Sequence, residues 1–95
     1  MDTTVGNNKL HEIDALNKEA WNAKGKNDDK AMELASLALE KATAIEYSVG
    51  VAHAKKTIGT LYIWMSENEK GAQYCFEAIG LFQSLKDKVN EAMVY

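Results

Sequence analysis

Proline and arginine are both absent from this 95-residue chain, and cysteine occurs once. Without proline there is no strong helix breaker, so turns have to come from Gly, Asn, Asp and Ser. Without arginine all eleven basic residues are lysines, which leaves no planar fork for a bidentate grip on phosphate or carboxylate. The lone Cys75 excludes an internal disulfide and offers no metal-ligand spacing; such usage fits a reducing cytoplasm. A basic stripe is missing too. Net charge is −3 and no lysine cluster exceeds Lys55-Lys56, so nucleic acid, which needs clustered cations to displace counterions, is not an expected partner. No apolar run approaches the roughly 20 residues that span a bilayer, and Met1 to Asn8 has neither the basic start nor the apolar run of a signal peptide. A cytoplasmic location and no membrane partner are expected.

What is present is ordinary for one small globular domain, 46% hydrophobic and 26% charged. Apolar residues recur at helical spacing, and no run alternates with period two, so the fold is expected to be all-α. Residues 1–9 read as a loose polar tail. A first helix follows from about Leu10 to Lys24, with Leu10, Ile13, Leu16, Ala20 and Ala23 inward, closed by Gly25. Asn27 or Asp28 can cap a second helix whose inward stripe is Ala31, Leu34, Ala35, Ala38, Leu39, Ala42 and Ile45. A third runs from about Val49 to Met65, capped by Ser48, with Ala52, Ile58, Gly59, Tyr62 and Met65 inward. Ser66-Glu67-Asn68-Glu69 fits a capping box for a fourth, which carries Gly71, Cys75, Ala78, Ile79, Phe82 and Leu85 inward. Lys86-Asp87-Lys88 breaks it, and a short fifth helix runs to Tyr95.

The helices repeat. Lys30-Ala31-Met32-Glu33-Leu34-Ala35 is echoed forty residues later by Lys70-Gly71-Ala72-Gln73-Tyr74-Cys75, and Ala38-Leu39 by Ala78-Ile79. Val49-Gly50-Val51-Ala52 returns as Val89-Asn90-Glu91-Ala92. The first helix aligns with the third at a spacing of thirty-nine, as a loop one residue shorter would produce. Self-similarity at such a period is the mark of stacked repeat proteins, whose units cannot bury their apolar faces alone. The units are residues 10–47 and 48–86, with a partial third at 87–95.

Ile58-Gly59-Thr60-Leu61-Tyr62, then Lys70-Gly71, Tyr74 and Ala78-Ile79, resemble the tetratricopeptide repeat (TPR) family: its Leu-Gly-x-x-Tyr on the first helix of a hairpin and its Lys-Ala and Ala-Leu pairs on the second. The resemblance covers about residues 12–95. Lys55 stands where the family often has tryptophan, the usual closing proline is missing, and the forty-residue period exceeds the usual thirty-four. Longer units of this kind look like the arrays of bacterial signalling and regulatory proteins. The resemblance implies antiparallel hairpins stacked in a right-handed superhelix, about two and a half repeats in five helices.

By the family's geometry the first helix of each hairpin lines a concave face that grips partner segments. Carried over, the partner-binding residues are His53, Lys56, Thr60, Ile63 and Trp64 on the third helix and Asn17, Trp21 and Lys24 on the first. Some family members hold a terminal carboxylate with paired lysine and asparagine. Lys56 matches the lysine, but Thr57 and Thr60 stand where the asparagine would, so shape, apolar contact and a few hydrogen bonds are expected to hold the partner.

Catalysis is not expected. No phosphate loop or nucleophile motif occurs, Asp28-Asp29 and Glu67-Glu69 sit at helix starts where carboxylates favour the dipole, and Cys75 reads as a small core hydrophobe. His11 and His53 are too far apart for a local metal pair. No cofactor or metal is expected. The chain reads as a protein-interaction module binding a peptide or helix of a partner, as part of a larger regulatory or signal-transduction protein. The rival is a self-associating scaffold, and a weaker one a sensory domain whose ligand alters repeat stacking. Val89, Ala92 and Met93, lacking the second helix of their hairpin, are the expected sites of weak homodimer contact.

Overall fold

The computed structural model describes the backbone of residues 3–94 and the side chains of residues 8–86. Four helices follow one another: α1 (Thr3–Ala23), α2 (Asp28–Ala44), α3 (Ser48–Trp64) and α4 (Asn68–Val94). There is no strand among the described residues. α2 opens at Asp28 and α4 at Asn68, so the two halves of the forty-residue echo each start a helix. Each helix packs on the one before it, and α1 also reaches α3.

The contact surfaces are made of small side chains. Ala31, Ala35, Ala38 and Ala42 form a fully buried stripe along α2, and Ala52 and Ala54 do the same on α3. Ile13, Ile58 and Leu61 supply most of the buried bulk. Around Ala20, Ala35 and Ile58 the half-buried Met32, Leu34, Leu39, Tyr62 and Tyr74 close the central core, with the rings of Tyr62 and Tyr74 stacked at 5.8 Å. The closest approach is at Gly59 and Gly71, where α3 crosses α4. A Cβ on Gly71 would lie 2.7 Å from the Gly59 carbonyl oxygen, and one on Gly59 would lie 2.6 Å from Cys75 Sγ.

Several expectations are corrected. α1 begins at Thr3, ahead of the expected Leu10. α4 runs unbroken through Lys86-Asp87-Lys88 to Val94, so there are four helices where five were expected: charged residues alone do not stop a helix when neither proline nor glycine intervenes. Ile45, Met65 and Ile79, expected inward, are exposed, while Leu61 is buried in their place on α3. Ser48 does not cap α3; the N-cap is Tyr47, with no side-chain cap bond. Ser66-Glu67-Asn68-Glu69 is not a capping box either. Ser66 has φ +68° and closes α3 instead: its N–H donates to the Ile63 carbonyl and the Glu67 N–H to Tyr62, the two bonds of a Schellman motif. Glu46 (φ +56°) closes α2 in the same way, through Glu46 N–H to Thr43 and Tyr47 N–H to Ala42.

The expected caps do hold in the first turn. Asn27 accepts from the Lys30 N–H at 3.1 Å, and Gly25, at φ +84°, ends α1, its N–H donating to Asp28 Oδ1 at 2.6 Å. Val89, Ala92 and Met93 lie outside the residues whose side chains are described. Among the described residues no helix is long and apolar enough to cross a membrane.

Candidate functional site

α1 and α3 lie side by side and leave a groove between them. On α1, Asp14, Asn17, Lys18 and Trp21 recur at spacings of three and four and so share one face. On α3, Val49, His53, Lys56 and Thr57 do the same. Together with Tyr47 from the α2–α3 loop they line a cavity of about 380 Å³.

The floor is built by backbone approach. Gly50 opens α3 against α1, where a Cβ would sit 2.8 Å from Ile13 Cγ2. The Gly50 carbonyl is thereby within reach of Asn17, whose Nδ2 donates to it at 3.1 Å. Asn17 is only 7% exposed, and among the described residues its Oδ1 has no hydrogen-bond partner. Its amide thus ties the two walls of the groove together. The rim has a second tie, the Tyr47 hydroxyl donating to Asp14 Oδ1 at 2.9 Å. Burial, the acceptor Asp14 and its charge all hold the Tyr47 hydroxyl above its usual pKa.

His53 spans two surfaces. It lines the groove, and its ring meets the Phe82 ring of α4 edge-on at 5.0 Å. Burial, then the neighbouring Lys56 ammonium, push its pKa below the usual imidazole value, against the opposing pull of Asp14. The neutral ring is the favoured form.

At one end of the groove the last turn of α1 with the following Lys24 meets residues of α3 that lie 35 to 40 positions away in the chain. Lys24 Nζ lies 3.8 Å from the centre of the Trp21 ring and 5.5 Å from that of Trp64. Lys56 Nζ lies 4.1 Å from the Trp21 ring. An ammonium over an indole face is attracted by the ring quadrupole, by about 0.5–1 kcal/mol at exposed sites. Trp64 is 52% exposed, resting beside Gly25, and Trp21 is also partly in solvent. Two indoles and two ammoniums therefore form one surface that is both apolar and cationic.

The expected site residues divide accordingly. Trp21, Lys24, Lys56 and Trp64 are gathered at the groove end, and Asn17 and His53 lie within it. Thr60 has its hydroxyl turned back along α3, donating to the Lys56 carbonyl at 2.9 Å. Ile63 is exposed on one side yet reaches over Gly71, 2.6 Å from where a Cβ there would stand. It belongs to the α3–α4 crossing. Asp14, Lys18, Tyr47 and Val49 also line the groove and were not anticipated, while Thr57, noted in the sequence only as standing where a clamp asparagine would, lines it too. The signal for two of them was present: starting from Asn17 and Trp21, the helical spacing leads directly to Asp14 and Lys18.

Charge is distributed unevenly. In a chain of net charge −3, Lys18, Lys24 and Lys56 stand at the groove, where Asp14 is the single lining carboxylate among the described residues. Among the described residues no three His, Cys, Asp or Glu side chains gather as a metal site would require. No family model matches the chain, and neither a curated protein nor a solved structure matches it.

Proposed function

We propose that the chain is a TPR-type interaction module that holds an acidic, apolar-bearing segment of a partner protein in the groove between α1 and α3, as the repeat part of a larger regulatory protein. The observation that carries this is the cluster of Trp21, Lys24, Lys56 and Trp64, which two separate helices assemble at an open surface. Exposed tryptophans beside a concave wall are the typical anchors of a protein contact. The lysines around them favour carboxylates on the approaching chain. The hairpin repeat of Asp28 and Asn68 and the close crossing at Gly59 and Gly71 support the family reading. Stacked helices tied by Asn17 to Gly50 and by Tyr47 to Asp14 present a preorganised groove, which limits the entropy cost of binding.

The test is a peptide selected on the wild-type chain from a displayed library and titrated by tryptophan fluorescence. Trp64→Ala should keep the melting temperature and lose about thirtyfold or more in affinity. Selected peptides should be enriched in Asp and Glu, and Lys56→Glu should weaken them. A Trp64→Ala chain that binds as well as wild type, or one that no longer folds, overturns this site.

A further inference from the structure

The side of α4 that α3 leaves uncovered carries two large apolar side chains in water: Phe76 is 73% exposed and Ile79 is 50% exposed. They do not stand alone. Glu69, Ala72, Phe76, Ile79, Gln83 and Lys86 follow one another at spacings alternately three and four, the pattern that keeps one seam facing a partner helix. The stripe that α4 turns to α3, through Gly71, Cys75 and Ala78, is buried or half-buried and lies about a third of a turn away round the helix. Forty residues earlier the counterpart of Ile79 is Leu39, which packs on the central core. The same position is covered in the first hairpin and open in the second.

We propose that this seam joins two copies of the chain through an antiparallel α4–α4 pair. The order of charge along the seam selects both the occupant and its direction. Glu69 stands at the start, Lys86 at the end, and Phe76 and Ile79 at the centre. A two-fold axis between Glu77 and Ala78 sets Phe76 against Ile79 of the second copy, Ala72 against Gln83, and Glu69 against Lys86. The central layers are then apolar, and both ends carry opposite charges. A parallel pair would set Glu69 on Glu69 and Lys86 on Lys86, which like-charge repulsion disfavours. Beside the seam, Gly80 has no atom of the described residues within 4 Å of where a Cβ would be, leaving room for the ring of the other copy's Phe76. The contact is isologous, the closed arrangement most homodimers adopt.

Glu69 to Lys86 spans about 26 Å of helix, so the interface falls below the roughly 1,200 Å² of stable assemblies and the dimer is reversible. It uses none of the groove residues and stands whether or not the groove binds a partner.

Sedimentation equilibrium over the micromolar-to-millimolar range tests it, with circular dichroism melts to verify that each variant is folded. A monomer–dimer equilibrium is expected. Phe76→Glu, and separately Ile79→Lys, should raise the dissociation constant about tenfold or more. Glu69→Lys should also weaken the dimer, and Glu69→Lys combined with Lys86→Glu should restore it. A chain that stays monomeric throughout overturns the proposal. So does a dimer indifferent to Phe76→Glu and Ile79→Lys, including one abolished only by Val89→Asp with Met93→Lys, which would place the contact at the C-terminal residues. A dimer that the charge exchange fails to restore overturns the antiparallel order.

Discussion

A single methyl group decides whether α3 and α4 can meet. Gly71 lies against backbone, with the Gly59 carbonyl oxygen 2.7 Å and the Ile63 nitrogen 3.0 Å from a would-be Cβ. Neither atom can yield without shifting a helix. Gly71→Ala is therefore expected to cost about 1–3 kcal/mol, as overpacking a close contact does. Gly80, on the same helix, has open space at its Cβ position among the described residues, so in the monomer the added methyl meets nothing and removes unfolded-state freedom. Gly80→Ala should raise stability by about 0.5–1 kcal/mol. Urea unfolding of the two variants beside wild type checks the contrast. Equal effects of the two substitutions would mean that the helix crossing is looser than these distances require.

At the scale of the element, the two short loops share one device. Glu46 and Ser66 each sit in the left-handed region that non-glycine residues pay about 1–2 kcal/mol to occupy. They stay there because two backbone hydrogen bonds close each helix end around them. Glycine would relieve that strain and give back part of the gain as unfolded-state entropy. Ser66→Gly is expected to raise stability by up to about 1 kcal/mol, an outcome opposite to what loss of a serine cap would give. Asn27 is the true side-chain cap, and Asn27→Ala should lower stability by about 1 kcal/mol. Thermal melts of the two variants separate the roles: a destabilised Ser66→Gly would return Ser66 to capping α4.

For the whole molecule, the groove couples stability to pH. His53 is held below its usual pKa of 6.5, chiefly by burial and then by Lys56. Over the interval between its folded value and 6.5 the unfolded chain binds more protons than the folded one, so stability rises with pH there. The His53 contribution is complete above about pH 6.5 and declines as the pH falls below it. The charges that act on the ring are Lys56 of α3 and Asp14 of α1, Phe82 of α4 packs against it, and Lys18 of α1 lines the same groove. The melting temperature of wild type should fall between pH 7.5 and pH 5.5 (about two units across the imidazole range), and His53→Gln should flatten that fall. Identical slopes in the two chains would remove His53 from the account.

Helical periodicity and the repeat are local properties, and the sequence alone determined them. A 3.6-residue spacing of alanines implies a helix with one buried side whatever packs on it, which is why the α2 stripe of Ala31, Ala35, Ala38 and Ala42 and the small residues Gly59 and Gly71 were legible before any contact was known. The tertiary structure decided what depends on neighbours. α3 is packed by α1, α2 and α4, and only that crowding turns Leu61 inward and Met65 out. The motif Ser-x-x-Glu at Ser66 is the same string whether serine opens a helix or ends one, and the loop geometry chose the second. Trp21 and Trp64, with Lys24 and Lys56, were each visible as candidates, yet their meeting needs α1 laid beside α3. That placement rests on a methyl-free Gly50 and a hydrogen bond donated by the Asn17 amide, because helix pairs find their register through close contacts that a one-dimensional pattern does not contain.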